Sequence, residues 1–600
     1  MKTGYRSKRW LWAGALAVLL MGVICMRVDA ADPNKVLRYV FPVAETGFDP
    51  AVAHDLYSSQ VIRSICEPLY AYDYLARPAR LVPLIAENMP DMSNGGRTYT
   101  IRIKKGIFFA DDPAFNGKPR ELVAADFAYA IKRLVDPHVR SAWGWLVEGK
   151  IVGLDELAKR TGGSGQLDYD RPVKGLELLG RYTLRISLKK PDYNFVYILA
   201  HYPTCAVSRE VVEKYGDASS HIMANPVGTG PYKLAEWKRG SKMVLTANPD
   251  FRGFIWDFAA GDDPQDAGIV KQMRGKPMPQ IGRVEISVIP EDQSRWLAFQ
   301  NAEIDMFNLD GPLAPKALAD GKLRPELLAK GVQLSRSVDA ELSHYYFNMQ
   351  DPILGGMGKE KIALRRAIAM AHNVDEEIRV VWNGEAIRLE YPIPPGVVGH
   401  DPAYKSSVKY DPALANALLD RFGYKKGSDG WRTRPDGSPL EVVFSARVES
   451  TGQLQSEMWK KTFDSLGIRM KSDKRLFPDL LKAEKQCQLM MRTSPWIADY
   501  PDGDNFMQLF YGPHIGQSNN GCMKIPEFDA LYEQSAALPD GDARNVLYHK
   551  MTRILEVVAP TRIGYARYRN MLLQPYVMGY KKHPVMHNEW VYMDIDRKGK

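Results

Sequence analysis

Hydrophobic and polar residues in the first half of the chain follow the two-residue period of strands in some segments and the longer period of helices in others. Residues 97–109 place Tyr99, Ile101 and Ile103 on one side of an extended segment, with polar residues between them, as a half-buried strand does. Similar patterns predict strands at residues 35–42 and 182–188, a hairpin within residues 231–248, helices near residues 56–66 and 123–137, and a strand–helix–strand unit that ends near residue 307.

The second half alternates between strands and helices from residue 441 to residue 493. In the longer of its two helices Leu454, Met458 and Phe463 share one face, and Gly467 ends the helix. This βαβαβ order predicts an α/β fold with a parallel arrangement and right-handed crossovers. The predicted strands are residues 441–448, 468–475 and 487–493, and the helices between them are residues 453–467 and 477–485.

The stretch SPWIADYPDGDNF follows the last of these strands. Its two prolines exclude a helix, so we expect a loop at the carboxyl end of a parallel strand, where ligands bind in such sheets. Asp499 lies in this stretch between Trp496 and Tyr500. An ionised carboxylate among aromatic side chains needs water or a partner, so this is either an exposed loop or a place where Asp499 meets a cation.

The N-terminus has the parts of a secretory signal peptide, residues 1–30. Four basic residues precede the apolar run WLWAGALAVLLMGVIC, and Val28 and Ala30 stand where a signal peptidase reads small or aliphatic residues. We expect cleavage after Ala30 and an exported, soluble chain, since no later segment is apolar enough to cross a bilayer. An uncleaved anchor and a lipid on Cys25 are the alternatives.

Length and composition predict several domains and no nucleic-acid partner. The chain has 600 residues, 45% of them hydrophobic and 25% charged, which is too long for one simple core. Its formal net charge of +9 is small for that length, and the predicted signal peptide contributes part of it. No basic cluster is interleaved with aromatic residues as a nucleic-acid surface requires.

Four cysteines remain after the predicted cleavage, Cys66, Cys205, Cys487 and Cys522. None has CxxC spacing, so a zinc site is not expected. An exported chain can oxidise its thiols, and we expect the pairs Cys66–Cys205 and Cys487–Cys522 because each falls within one half of the chain. Free buried thiols are the alternative.

The sequence lacks the motifs that mark common catalytic and cofactor sites. GxSxG, a Walker loop and HExxH are absent, and GTGPYK at residues 228–233 begins like GxGxxG but ends in lysine. We therefore expect no cofactor, no metal and no enzymatic activity. A glycosidase needs only two carboxylates that can be distant in sequence, so a secreted hydrolase stays open as the alternative.

Eight segments in order along the chain carry a resemblance. The most specific is NPVGTGPYKLAEWKRGSKMVLTANPDF, and the others are residues 48–70, 81–89, 97–112, 123–137, 345–352, 364–373 and 496–506. Together they resemble the extracellular solute-binding proteins of the peptide/nickel family, family 5, which are the large periplasmic components of ABC importers. The match covers nearly the whole mature chain.

This resemblance implies a two-lobed α/β periplasmic-binding-protein fold with mixed central sheets and a hinge between the lobes. The core of lobe one would comprise residues 31–71 and 203–308, with an inserted subdomain at residues 72–202. Lobe two would span residues 309–559, and residues 560–600 would return to lobe one.

The resemblance also implies binding residues in lobe two. In oligopeptide-binding members the aspartate of the W-x-A-D-Y segment pairs with the α-ammonium of the peptide, and here that residue is Asp499. Trp496 would wall a side-chain pocket, and Tyr500 would flank it. Arg492 stands one position from the spacing at which an arginine meets a ligand carboxylate in some members. A loop cap, core packing and a strand salt bridge are the structural alternatives for Asp499, Trp496 and Arg492.

In lobe one, Tyr57 and Ser58 are the nearest matches to residues that contact the ligand backbone. A plain role at the start of the helix is the alternative for both.

The resemblance implies capture of a peptide or peptide-like solute and its delivery to an inner-membrane ABC permease by a periplasmic monomer. Residues 111–127 and 355–367 are longer than the corresponding segments of typical members, which indicates a divergent subgroup. The ligand class therefore stays open among peptides, metal chelates, haem, sugars and opines. A sensor or chaperone with the same fold is a further alternative.

Overall fold

The computed structural model describes residues 31–160, 165, 167–309 and 311–597. The predicted signal peptide, residues 1–30, lies outside the described residues. Three sheets of four or more strands organise the described chain. They form the core of the first lobe, its inserted subdomain and the second lobe, in an α/β fold with mixed sheets as expected.

The sheet of the first lobe joins the beginning of the described chain to residues 232–288. Its strands lie in the order Asp32–Phe41, Ile281–Val288, Lys242–Ala247 and Tyr232–Lys238. The first two strands are parallel and the other pairings are antiparallel. The hairpin predicted within residues 231–248 is confirmed.

The segment GTGPY packs against the carboxyl end of the helix Leu56–Ile65. Gly230 donates its amide to Ile65 O at 2.8 Å, and a Cβ atom on Gly228 would lie 2.1 Å from the same oxygen. Glycine is needed for so close an approach of two backbones. The segment therefore fixes a helix that forms part of the cleft described below.

The inserted subdomain contains an antiparallel sheet of the strands Asp91–Ser93, Thr98–Arg102, Thr183–Ser187 and Leu176–Gly180. The predicted alternation holds in its second strand, because Tyr99 and Ile101 are buried while Arg102 is exposed.

The second lobe is built on an eight-stranded mixed sheet. The strand Glu441–Arg447 runs parallel to both Arg469–Arg475 and Met491–Ile497, which confirms the parallel arrangement predicted for this half. The sheet order is Met306–Leu309, Thr561–Leu573, Glu341–Phe347, Met491–Ile497, Glu441–Arg447 and Arg469–Arg475, and Gln333–Val338 and Ala386–Arg388 also pair with Thr561–Leu573.

The strand predicted at residues 487–493 is instead Met491–Ile497. Its parallel partner bonds only alongside Met491 and Arg492, so beyond Arg492 one edge is free of pairing and a proline, Pro495, fits there. The antiparallel partner continues as far as Ile497. Trp496 therefore lies within the strand, and the loop begins after Ile497. This corrects the loop predicted for the whole stretch.

The chain crosses between the lobes at two strands of the eight-stranded sheet of the second lobe. In Met306–Leu309 the first three residues are expected in lobe one and Leu309 in lobe two; the whole strand pairs with Thr561–Leu573, which itself pairs with Glu341–Phe347. The return to lobe one thus begins after Leu573, later than the expected residue 560. Beyond it, Trp590 Nε1 donates to Ser64 Oγ in the first lobe at 2.9 Å.

Helices make up most of the remaining regular structure. Ser450–Leu466 ends at Gly467, which has φ 68°, as the sequence predicts. In the described chain the helices of seven or more residues are Leu56–Ile65, Ala124–Arg133, Arg209–Tyr215, Pro264–Met273, Asp292–Gln300, Lys359–Ala371, Val374–Val381, Pro412–Arg421, Ser450–Leu466, Phe477–Lys485, Pro526–Ala536 and Asp542–Val558.

Both expected disulfides are present. Cys66–Cys205 joins the end of the helix Leu56–Ile65 to the segment after Tyr202. Cys487–Cys522 joins the end of the helix Phe477–Lys485 to a turn of the second lobe. Each bond therefore links two segments within one lobe.

Candidate ligand-binding cleft

A cleft of about 250 Å³ lies between the two lobes. The first lobe lines it with the start of the helix Leu56–Ile65 and with Trp143, among others. The second lobe contributes residues of the strands Glu441–Arg447 and Met491–Ile497 and of the helix Phe477–Lys485. Because both lobes supply its walls, a molecule bound there contacts both of them.

A side-chain cap begins the first-lobe helix. Asp55 Oδ1 accepts the amide of Ser58 at 2.8 Å, and Asp55 Oδ2 accepts the Thr46 hydroxyl at 2.6 Å. Ser58 is fully buried, and its Oγ accepts the Thr46 amide at 2.9 Å, so Ser58 serves the cap and lies outside the cleft lining. Tyr57, about 100° away around the helix, does line the cleft, with its ring 5.1 Å from that of Phe41.

Arg492 lines the cleft and has a partner within the second lobe. Its Nη1 lies 2.6 Å from Glu484 Oε1, and the two side chains are 6% and 1% exposed. The guanidinium is thus held against the helix Phe477–Lys485. This is the salt-bridge alternative considered for Arg492, formed at the cleft wall.

Asn505 bonds to the tryptophan and the aspartate of the W-x-A-D-Y segment. Its Oδ1 accepts Trp496 Nε1 at 2.9 Å and the backbone amide of Asp499 at 2.9 Å. Its Nδ2 donates to Asp499 Oδ2 at 3.2 Å. Asn505 is fully buried, and both Trp496 and Asp499 line the cleft. One amide side chain therefore positions the indole and the carboxylate together.

Tyr500 does not line the cleft, although the resemblance places it beside the ligand. The residue is 1% exposed, and its hydroxyl donates to Asp504 Oδ2 at 2.6 Å. Its ring is stacked with that of Tyr197 in the inserted subdomain, at 5.9 Å between centroids. Tyr500 thus contributes to a contact between the lobes.

The Asp499 carboxylate is desolvated. Burial raises its pKa to about 6, against the opposing effects of the Asn505 hydrogen bond and of the charges on Arg63 and Lys485. His201 Nε2 lies 3.4 Å from Asp499 Oδ1, and burial and Arg63 hold the pKa of His201 well below its ordinary value, so the imidazole is neutral. Among the described residues no lysine or arginine nitrogen lies within 4.0 Å of this carboxylate.

Two arginines of the crossing strand Thr561–Leu573 also reach the cleft, each with its own carboxylate. Arg567 pairs with Glu341 at 2.6 Å and Arg569 with Asp339 at 2.5 Å. Burial lowers the pKa of both guanidinium groups, and the partner carboxylates outweigh it, so both pKa values are raised. In each pair the carboxylate balances the positive charge of the arginine, so neither pair carries a net charge.

Within the described part of the chain no group of three or more metal-ligating side chains occurs. Over the same residues, none of the helices has the length and apolar character that a membrane crossing requires.

The chain forms two α/β lobes, crosses between them twice and encloses a cleft between them. This architecture defines a two-lobed binding protein. The family model for bacterial extracellular solute-binding proteins, family 5 (middle region), matches residues 80–518, and the chain belongs to that family. The resemblance inferred from the sequence is confirmed.

Curated relatives span nearly the same length. The haem-binding protein A of Haemophilus influenzae is 23% identical, over 95% of this chain and 94% of its own. The dipeptide-binding protein of Escherichia coli is 22% identical, over 90% of this chain and 91% of its own. Among solved structures, the periplasmic binding protein DppA from Helicobacter pylori in complex with the peptide STSA has a TM-score of 0.76 at 22% identity, covering 94% of this chain and 98% of that one.

Proposed function

We propose that this chain binds a peptide or peptide-like solute with a free α-ammonium group in the cleft and delivers it to an inner-membrane ABC permease. The observation that carries the proposal is Asp499, a carboxylate at the cleft wall that is 15% exposed, with an amide to orient it and no cationic partner within 4.0 Å among the described residues. An ammonium group supplies the missing charge and several donors. We place the protein in the periplasm.

Trp496 and Tyr57 support the same proposal from opposite lobes. Both are half-buried aromatic residues that line the cleft. Aromatic walls accept side chains of different shapes, while backbone groups and charges fix the ends of a peptide. Arg492, which is already paired with Glu484, has a supporting role in this proposal.

We propose binding without chemical change of the ligand. Closure of the two lobes around the solute is the event that a permease would read, as in other hinge-closing proteins. The competing function, a hydrolase, requires a nucleophile or an acid–base pair aimed into the cleft. In the proposal Asp499 is engaged by the ligand ammonium instead.

The test is native mass spectrometry of protein purified without denaturation, followed by calorimetry with the recovered solute and with short synthetic peptides. We expect a bound solute with a free amine, recovered intact after long incubation. Binding of haem but of no peptide would overturn the ligand class. Turnover that disappears on replacement of a cleft residue would overturn the transport function.

A further inference from the structure

Most arginines that line the cleft have a carboxylate partner. Arg295, Arg447, Arg492, Arg567 and Arg569 each pair with an aspartate or glutamate: Asp292, Glu449, Glu484, Glu341 and Asp339, in that order. Arg63 and Lys485 also line the cleft, and within the described residues neither has a carboxylate oxygen within 4.0 Å. These two cations therefore distinguish one part of the cleft from the rest.

The imidazole of His201 lies between Arg63 and Asp499. Its Nη2 lies 3.1 Å from His201 Nδ1, while His201 Nε2, on the other edge of the ring, lies 3.4 Å from Asp499 Oδ1. The guanidinium is stacked over the Tyr202 ring at 5.0 Å, and its buried Nε has no hydrogen-bond partner among the described residues. Burial lowers the pKa of Arg63, and the charge of Asp499 opposes that effect.

Lys485 lines the cleft from the second lobe, and its positive charge acts on the same carboxylate. Its Nζ donates to the backbone oxygen of Gln517, and burial lowers its pKa to about 8, against the attraction of Glu484 and Asp499. Burial and, after it, the charge of Lys485 lower the pKa of His54 to about 3, so this residue on the first-lobe side of the cleft is neutral. His54 Nδ1 lies 3.4 Å from Val52 O and donates to it, so the buried Nε2, which has no partner within the described chain, is an acceptor and offers nothing to a ligand anion.

Arg63 and Lys485 thus share Asp499 as their common nearby carboxylate in the cleft. The other acidic group near the helix start, Asp55, accepts bonds from Ser58 and Thr46 and belongs to the cap. A ligand ammonium that pairs with Asp499 would add a third cation to this group. Desolvated like charges are costly, so the arrangement favours a ligand that also brings an anion.

We propose a second subsite beside Asp499, formed by Arg63 and Lys485, that binds a carboxylate carried by the same residue of the ligand as the ammonium. This inference rests on the proposed function and narrows it. The ligand class is a peptide whose first residue carries a carboxylate as well as the ammonium, and two kinds of peptide meet this requirement. It is a γ-linked glutamyl peptide, with a free α-carboxylate, or an α-linked peptide with an aspartate or glutamate side chain at its N-terminus.

The chemistry of the groups fits this assignment. A guanidinium offers a fork of donors to a carboxylate, and a lysine ammonium adds a point charge. Arg63 comes from the first lobe and Lys485 from the second, so the ligand carboxylate would also favour the closed arrangement.

The experiment compares three dipeptides that differ in one group: γ-Glu-Ala, α-Glu-Ala and Gln-Ala. Titration calorimetry of the mature wild-type protein is expected to give at least one of the two acidic peptides an affinity about tenfold or more above that of Gln-Ala. The isomer that binds more tightly identifies the source of the carboxylate. Equal affinity for all three peptides would overturn the subsite and leave the proposed function intact, whereas no binding of any free-amine peptide would overturn the proposed function itself.

Variants then assign the preference to residues. Arg63→Gln and Lys485→Gln are each expected to lower the ratio of acidic to neutral affinity toward one, and Arg102→Gln, at an exposed arginine of the inserted subdomain, is the matched control with the wild-type ratio. The midpoint of thermal unfolding shows which variants fold. An unchanged ratio in both folded cleft variants would contradict the assignment, and the wild-type comparison stands even if Arg63→Gln does not fold.

Discussion

Tyr197 of the inserted subdomain stacks on Tyr500 of the second lobe, with ring centroids 5.9 Å apart and ring planes 6° from parallel. Lys190 and Glu533 pair between the same two parts of the chain at 3.1 Å. These contacts join the inserted subdomain of the first lobe to the second lobe. Opening the cleft would separate them.

The first prediction follows from this contact. Tyr197→Ala should weaken binding of a cleft ligand by roughly 2- to 10-fold, because a stacked aromatic pair contributes about 0.5–1.5 kcal/mol beyond its buried area. Small-angle scattering should show that the wild type compacts on adding ligand, and that the variant is more extended than wild type without it. Tyr193→Ala, at an exposed tyrosine four residues earlier, is the control. A radius that is unchanged at saturating ligand would remove lobe closure from the account.

The second prediction concerns Asn505, which bonds to both Trp496 and Asp499. Asn505→Ala leaves buried groups without partners, so the free energy of unfolding should fall by about 1–3 kcal/mol. Affinity for a free-amine peptide should fall as well, since the carboxylate loses both its donor and its orientation. Urea denaturation and calorimetry measure the two effects. Wild-type affinity in this variant would show that the amide does not position Asp499.

The third prediction concerns pH. Burial raises the pKa of Asp499 to about 6, from an ordinary value of 3.8, and a protonated carboxyl cannot pair with an ammonium. Affinity for a free-amine peptide should therefore fall about tenfold from pH 7 to pH 5. Calorimetry on wild type and on Asp499→Asn separates this effect from other titrating groups, because the variant should lack the step.

The same pKa predicts a stability effect of the opposite sign in the ligand-free protein. The folded carboxyl binds its proton more tightly than the unfolded one, so its contribution to stability is present below about pH 4 and is lost as pH rises through about 6. The difference in unfolding free energy between Asp499→Asn and wild type should thus grow in favour of the variant over this range. A difference that is constant with pH would mean that Asp499 is not desolvated.

The fourth prediction concerns the disulfide Cys487–Cys522. It connects the end of the helix that carries Lys485 to the turn that carries Asn520, and both of these residues line the cleft. The double variant Cys487→Ser/Cys522→Ser should lose about 2–4 kcal/mol of stability. It should also bind ligand more weakly than wild type at a temperature where both are folded. Retained affinity would limit the bond to a role in stability.

Local sequence patterns predict most elements of this fold, since the strand and helix periods are set by neighbours along the chain. The strand Met491–Ile497 is an exception. Its proline-containing half forms because Glu341–Phe347, about 150 residues earlier, pairs with it. The local pattern carries no information about that partner, and the prediction based on it therefore places Trp496 in a loop.

The site could be predicted only in part for the same reason. Asp499, Trp496, Arg492 and Tyr57 reach the cleft, whereas Ser58 and Tyr500 turn toward a helix cap and an interlobe contact. The family segment identifies a backbone position, and the direction of each side chain depends on its packing.

Residues that the sequence did not single out complete the site. Asn505 lies in the same quoted stretch, and its fully buried amide could have been considered as the group that orients Asp499. Arg63 and His201 come from segments 138 residues apart, held together by the nearby Cys66–Cys205 bond. No local pattern marks them.

The most direct test of the account replaces Asp499 by asparagine and measures the affinity for one peptide with a free amine and for its N-acetylated form. Asp499→Asn keeps the shape of the side chain and removes its charge. Losing one partner of a buried charged pair costs roughly 2–5 kcal/mol, so the free-amine peptide should bind about 30-fold or more weakly to the variant. The acetylated peptide should bind poorly to wild type, and the substitution should change its affinity little. If the variant binds the free-amine peptide as tightly as wild type does, Asp499 is not the ammonium site and the proposed recognition of a free α-ammonium group is wrong.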